Sequence, residues 1–252
     1  MQSVANIKTA FWQGGAIWVV DALAAPDREQ STDVHAHHAI QLVFNLGGWF
    51  ELSSPGGPPV VGDVVAVAAD ALHQFRSEGL TAILFIEPES RAGRALQRRL
   101  FGDMEVAVAP PPSSAVLDRL RACQREPQHL EAIGRALIDE LAAGEAADVV
   151  DPRIATVVAW AAQRIEGPVA LGEAAREVGL SPGRLRHLFV EQTGLPFRTY
   201  LLWLRLNLAV ARMVAGASLT EVAHDAGFSD SAHFSRTFKR MFGMQPAALR
   251  LT

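Results

Sequence analysis

Residues 219–243 read LTEVAHDAGFSDSAHFSRTFKRMFG, and a counterpart lies earlier in the chain, at 171–194, as LGEAAREVGLSPGRLRHLFVEQTG. Leu171, Glu173, Ala175, Gly179 and Ser181 match Leu219, Glu221, Ala223, Gly227 and Ser229 at a constant offset of 48, with Leu180 and Phe228 as equivalent apolar positions. One residue is inserted after the serine of the second copy, and Leu185 and Phe189 then match Phe234 and Phe238. Two copies of one supersecondary unit are present.

The chemistry of the unit points to a helix, a tight turn and a second helix. Ala175 and Ala223 are small where a second helix must approach closely, and Gly179 and Gly227 suit a backbone turn at positive φ. Ser181 and Ser229 are good N-caps, with Pro182 at the first helical position in one copy and Asp230 complementing the helix dipole in the other. Leu185, Leu188 and Phe189 face one side of the second helix, as do Phe234, Phe238 and Phe242 in the later copy. The opposite faces carry Arg184, Arg186 and His187, and Ser231, His233, Ser235, Arg236 and Lys239. A plain bundle with a duplicated hairpin would share the apolar stripes. Two matched polar faces, each led by a capped helix, better fit contact with phosphates and base edges. The segment between the copies, FRTYLLWLRLNLAVARMVAG, reads as a long helix able to hold two reading heads roughly one DNA turn, about 34 Å, apart.

The stretch from about 152 to 250 closely resembles the DNA-binding domain of the AraC/XylS family of bacterial transcription regulators, including GFSDSAHFSRTFKRMFG near its end. The resemblance implies helix-turn-helix motifs at about 171–192 and 219–241, each inserting a helix into adjacent major grooves of promoter DNA. It implies base-facing positions at Gly183, Arg186 and His187 in the first head and at Ser231, Ala232, His233, Ser235 and Arg236 in the second. It further implies RNA polymerase as a partner and activation more often than repression. The sequence departs from the family at Gly183, which offers no side chain, at His187, where arginine is frequent, and at Leu249, where tyrosine is frequent.

Upstream the pattern changes. Short apolar or alternating runs, AIWVVDAL, AIQLVFNL, WFEL, DVVAVAA and AILFIEP, are separated by GG, SSPGGPP and AAD, which reads as an all-β sandwich or barrel. Helical spacing follows from residue 90. Val116, Leu117 and Leu120, then Leu130, Ile133, Leu137 and Leu141, form one-sided stripes that either pack in the core or pair with a second subunit as a homodimer. The chain divides near 146–150, giving a first domain at 1–145, whose helices at about 113–142 suit dimerisation or relay, and an all-α domain at 146–252. Charge divides with it. Residues 151–252 carry 12 Lys and Arg against 8 Asp and Glu, whereas residues 1–150 carry 11 against 19, so nucleic acid is expected to meet the C-terminal part.

In VHAHHAIQLVFNLGG, His35, His37 and Gln41 follow H-x-H-x-x-x-E/Q, and GDVVAVAADALHQF supplies His73. This is similar to the two-motif pattern of the cupin jelly-roll barrel. Alternation puts His35 and His37 on one strand face and His38 on the other, at the surface. Three histidines and a fourth donor would suit Zn, Ni, Fe or Mn. Otherwise the barrel mouth, with Phe44, Trp49, Phe50 and Phe75 as lining, is a pocket for a small effector. The expected function is thus a ligand-responsive, DNA-binding transcription regulator and not an enzyme. The alternative is a metal-dependent cupin enzyme, or a metal sensor, fused to a DNA-binding domain.

With 49% hydrophobic and 20% charged residues the chain can bury a core. Its one cysteine, Cys123, rules out an intramolecular disulfide and reads as a small buried thiol. No run of about 18 uncharged apolar residues occurs and no basic and apolar leader opens the sequence, so a cytoplasmic protein without membrane contact is expected.

Overall fold

Extended segments rich in Val, Ile and Phe build the first part of the chain, and their register explains why. The computed structural model describes residues 5–12, 14–21, 30–123, 127–143 and 151–251. Among these, strands β1 (Ala5–Trp12), β2 (Gly15–Asp21), β3 (Gln30–Ser31), β4 (Ile40–Ser53), β5 (Val64–Val67), β6 (Gln74–Ile86), β7 (Val106–Val108) and β8 (Leu249–Leu251) form one sheet. The order is β7-β5-β4-β6-β2-β1-β8, with β3 also pairing β6. All pairings are antiparallel except β1 with β8.

The runs AIQLVFNL and WFEL are one strand, β4, rather than two. Gly47 and Gly48 mark a bulge in its ladder with β6 instead of a break. Glycine is required there because a Cβ on Gly48 would sit 2.1 Å from the Glu78 carbonyl oxygen, and one on Gly79 would sit 2.7 Å from that of Gly47. The two backbones approach too closely for side chains.

Helices α1 (Arg91–Leu100), α2 (Ser114–Ala122) and α3 (Leu130–Leu141) follow the helical spacing. Val116, Leu120, Leu130, Ile133, Leu137 and Leu141 are all buried within the chain, and α3 packs on β1 and β2. Cys123 is a free, buried cysteine.

The chain divides into two compact units, Met1–Ala146 with Ser235–Thr252, and Ala147–Phe234. The C-terminal 18 residues thus group with the sheet and not with the helices that precede them. The expected boundary segment at 146–150 lies outside the described residues. Downstream, a strand appears where the sequence showed only helices, because β8 finds a partner in the edge of β1. The side chain of Leu249 also lies outside the described residues.

In the second unit, α4 (Pro152–Arg164) starts at a proline behind Asp151, whose carboxylate accepts from the Arg153 backbone N–H at 3.0 Å. Then come α5 (Leu171–Glu177), α6 (Pro182–Thr193), α7 (Phe197–Val214), α8 (Leu219–Asp225) and α9 (Ser231–Phe242). Trp160, Leu185, Leu188, Phe189, Phe197 and Tyr200 share one core, with Ala174 and Ala175 fully buried among them. The rings of Phe189 and Phe197 meet edge to face at 5.2 Å. At 18 residues, α7 is about 27 Å long.

Candidate functional site

Each repeat folds as a helix, a glycine turn and a second helix. Gly179 and Gly227 take φ of +66° and +71°, the left-handed region that an L side chain rarely adopts. Ser181 caps α6, its hydroxyl accepting from the Arg184 backbone N–H at 3.2 Å. In the second copy the inserted residue moves the cap one position along. Asp230, rather than Ser229, accepts from the His233 backbone N–H at 2.6 Å, and Ser229 instead lies 3.2 Å from His233 Nδ1. A capping box closes the start of α8 between Ser218 and Glu221.

The burial pattern separates two faces on both second helices. Leu185, Leu188 and Phe189 of α6 are buried, whereas Gly183, Arg184, Arg186 and His187 are exposed. On α9, Phe234, Phe238 and Phe242 are buried, Ala232, His233, Arg236 and Lys239 are exposed, and Ser231 and Ser235 are half-buried. Lys239 differs from the rest in making an ion pair with Asp33 of the sheet unit at 2.9 Å.

In the sheet unit, His35 and His73 face each other across an isolated bridge, their backbones exchanging hydrogen bonds of 2.9 Å. One ring nitrogen from each of His35, His37 and His73 lies within 4.8 Å of the others, and all three residues are buried. Among the described residues no carboxylate joins this cluster. Nδ1–H of His35 donates to the Asp33 carbonyl and Nδ1–H of His73 to the Ala71 carbonyl, each at 2.9 Å. Such bonds fix the tautomer and leave Nε2 as a bare lone pair, the arrangement of a metal-ligating histidine. The Nε2 of His73 is buried without a hydrogen-bond partner. His37 Nε2–H donates to Gln41 Oε1 at 2.8 Å, so the glutamine belongs to the cluster through His37. Burial, reinforced by the neighbouring histidines, pushes His73 down to about 2 and His37 down to about 4, and burial also lowers His35. All three are neutral at pH 7, as ligands must be.

His38 is not a surface residue. It is 2% exposed and lies between Asp70 and Glu89, with Nδ1 2.9 Å from Asp70 and Nε2 on Glu89. The chain leaves regular strand geometry there, so strict alternation fails. Burial alone would lower this histidine, but hydrogen bonds and charge from both carboxylates outweigh it and raise it to about 9.

Beside the histidines lies a partly enclosed cavity of about 100 Å³. Phe75, Ser77, Ile83 and Phe85 reach it from alternate positions of β6, Trp18 and Val20 from β2, and Gln41 from β4.

Residues 174–252 match a helix-turn-helix domain family. The transcriptional regulator NimR of Escherichia coli is 27% identical over 233 residues, spanning 86% of this chain and 82% of that protein. The regulator GlxA of Rhizobium meliloti and the activator RhaS of Escherichia coli are each 36% identical over 39% of this chain. The matched segment spans about a third of those two relatives' length, 31% and 36%. The crystal structure of ToxT from Vibrio cholerae superposes with a TM-score of 0.55 at 11% identity, covering 96% of both chains. The chain belongs to the AraC/XylS family.

Within this AraC/XylS protein the helix-turn-helix units lie where the repeat placed them. The histidines and Gln41 come together as their spacing implied. Of the four aromatic residues expected to line a pocket, only Phe75 does so. Phe44 is fully buried in the core, Phe50 is buried with its ring 6.2 Å from that of Phe75, and Trp49 is exposed with its indole N–H on Glu78 at 3.0 Å. Sequence reasoning missed Trp18, Ser77, Phe242 and Met244 as cavity residues. Alternation in AIWVVD marked the two faces of β2 but not which one looks inward. Phe242 and Met244 had been spent, in sequence terms, on the helical domain.

Proposed function

We propose that this AraC/XylS member is a transcription regulator that reads double-stranded promoter DNA with α6 and α9 and senses a small effector in its sheet unit. The observation that carries this reading is the pair of capped helices whose buried stripes leave Arg184, Arg186 and His187, and Ser231, Ala232, His233, Ser235 and Arg236, on the outward side. Both follow a turn of the same design, so each can aim its first turn into a major groove. The named relatives are regulators, which supports a regulator over an enzyme. ToxT, whose fold is similar, has been crystallised with an unsaturated fatty acid, which supports an effector site here. A cupin-type jelly roll for the sheet unit, activation, homodimerisation and contact with RNA polymerase belong to the same proposal. The buried stripes of α2 and α3 leave a homodimer to other surfaces.

Selection of duplexes from a random library by the full chain tests the reading. Enrichment of one sequence with two contact blocks about a helical turn apart is expected, with affinity falling steeply with salt as counterions are released. No enrichment, or a flat salt response, overturns it.

The histidine cluster favours one addition, a divalent metal held by His35, His37 and His73 with Gln41 beside them. An ion at about 2.0–2.1 Å from each nitrogen would require the three rings to draw closer together than the 4.8 Å within which their nitrogens lie. When bound, such an ion supplies a Lewis-acidic site for an effector's oxygen or nitrogen. An enzyme would also need an acid or base beside it, and Glu89 and Asp70 are engaged by His38. Elemental analysis of natively purified protein should find stoichiometric Zn, Ni, Fe or Mn that is lost in His73→Ala. Absence of metal from the wild type removes this addition, and with it the metal-sensor and metalloenzyme alternatives.

A further inference from the structure

The cavity beside the histidines is chemically uneven. Its walls are mostly apolar, yet Trp18, a lining residue that is 4% exposed, holds a buried indole N–H without a hydrogen-bond partner. A buried donor left unmade costs about 1–3 kcal/mol, so such atoms mark a place where a partner is supplied from outside the chain. Among the described residues the lining contains no lysine, arginine, aspartate or glutamate. A carboxylate placed there would be desolvated without a counter-charge from these residues, whereas a neutral acceptor would satisfy the Trp18 N–H at no such cost. The volume, about 100 Å³, is of the order of cavities that take a single benzene ring.

The remaining wall comes from the end of the second reading helix. Phe242, the last residue of α9, and Met244 just beyond it both line the cavity. The Phe242 ring lies 5.3 Å from Trp18 and 6.2 Å from Phe85. Gly243 between them is held against the segment that carries His35. Its carbonyl accepts from the Asp33 N–H at 2.8 Å, and a Cβ at this position would lie 2.5 Å from the Asp33 carbonyl and 2.6 Å from His35 Nδ1. Helix α9 therefore starts among residues of the helical unit and ends as a wall of this cavity.

We infer that the cavity takes a compact, uncharged, single-ring molecule bearing one hydrogen-bond acceptor, held by the indole N–H of Trp18, and that its occupancy is transmitted to DNA through Phe242 and Met244. This rests on the regulator reading and specifies its effector site. It makes the tail of α9, rather than the helices at 113–142, the link between effector and DNA, since a ligand shifts a conformational equilibrium only through contacts that differ between states.

Acetophenone and cyclohexanone serve as neutral probes, benzoate as the charged counterpart and oleate as a long carboxylate. Binding is read by tryptophan fluorescence and by calorimetry on the full chain. Both neutral probes should bind, benzoate at least tenfold more weakly, and oleate not in this cavity. Trp18→Phe, which keeps a ring but removes the N–H, should weaken acetophenone several-fold. With a duplex obtained by selection, acetophenone should change affinity in the wild type and not in Met244→Ala, whose side chain is only partly buried and whose loss leaves the helix intact. The inference is overturned if neither neutral probe binds at millimolar concentration, if benzoate or oleate binds as well as acetophenone, or if Trp18→Phe leaves binding unchanged. Retention of the DNA response in Met244→Ala and Phe242→Leu alike overturns the transmission route. Failure of any of these with a selected duplex still bound leaves the regulator reading standing, whereas absence of any selected duplex strikes that reading itself.

Discussion

Arg186 of α6 and Arg236 of α9, which fall one position apart in the aligned repeats, are both exposed on the outward faces. If each reads a base, Arg186→Ala and Arg236→Ala should cost about 1–3 kcal/mol in specific affinity and relax preference at one block of the selected site only. Quantitative binding to single-block mutants of that site distinguishes this from loss of a phosphate contact, which weakens all sequences alike. His38 sets a second test at this scale. Its pKa is raised from 6.5 to about 9, so its stabilisation is complete below pH 6.5 and is lost as pH rises through 9. His37 and His73 act oppositely, being lowered to about 4 and about 2, so the unfolded chain gains protons first as pH falls below 6.5. Denaturant unfolding should therefore show greatest stability near pH 6.5–7. His38→Gln should flatten the alkaline limb, whose full height is at most on the order of 3 kcal/mol and is reduced by the solvent exposure of Asp70. An unchanged alkaline limb in that variant would remove His38 as its origin.

At the scale of elements, glycines with the same chemistry have opposite prospects. Gly48 faces the β6 backbone at a distance no Cβ tolerates, while Gly183 in the first turn of α6 has open space around it. Gly48→Ala should destabilise by about 1–3 kcal/mol through forced displacement of the ladder. Gly183→Ala should be neutral or stabilise by up to about 1 kcal/mol. Thermal unfolding of the two variants side by side checks both. The caps follow the same logic. Asp230→Ala removes the acceptor at the start of α9 and should cost about 1 kcal/mol, whereas Ser229→Ala should cost less, because the inserted residue has moved the cap.

For the whole molecule, the division of α9 between two compact units is the feature with most consequence. Lys239 lies on the basic face that the sequence assigns to DNA, yet it pairs with Asp33. Asp33→Asn should free Lys239 and raise affinity for DNA non-specifically, steepening the salt dependence by about one phosphate contact. Binding measured against salt concentration reads this slope directly. An unchanged slope would mean that Lys239 does not reach a phosphate.

Local rules were enough for much of this. A repeated pattern of small residue, glycine, cap and apolar stripe specifies a helix-turn-helix whatever surrounds it, because turn geometry, capping and 3.6-residue periodicity act within a few residues. The spacing of His35, His37 and Gln41 and the second motif with His73 were legible through their similarity to the cupin pattern, although strand alternation does not hold in that segment. Four things were not: the burial of His38, the continuity of β4 through Gly47 and Gly48, the strand at Leu249–Leu251, and the cavity formed by Trp18, Ser77, Phe242 and Met244. Each depends on contacts between residues far apart in the chain. Alternation says that two faces exist, but which is inside is settled by what packs against it, and the end of α9 becomes the wall of a cavity only when the sheet is there to receive it.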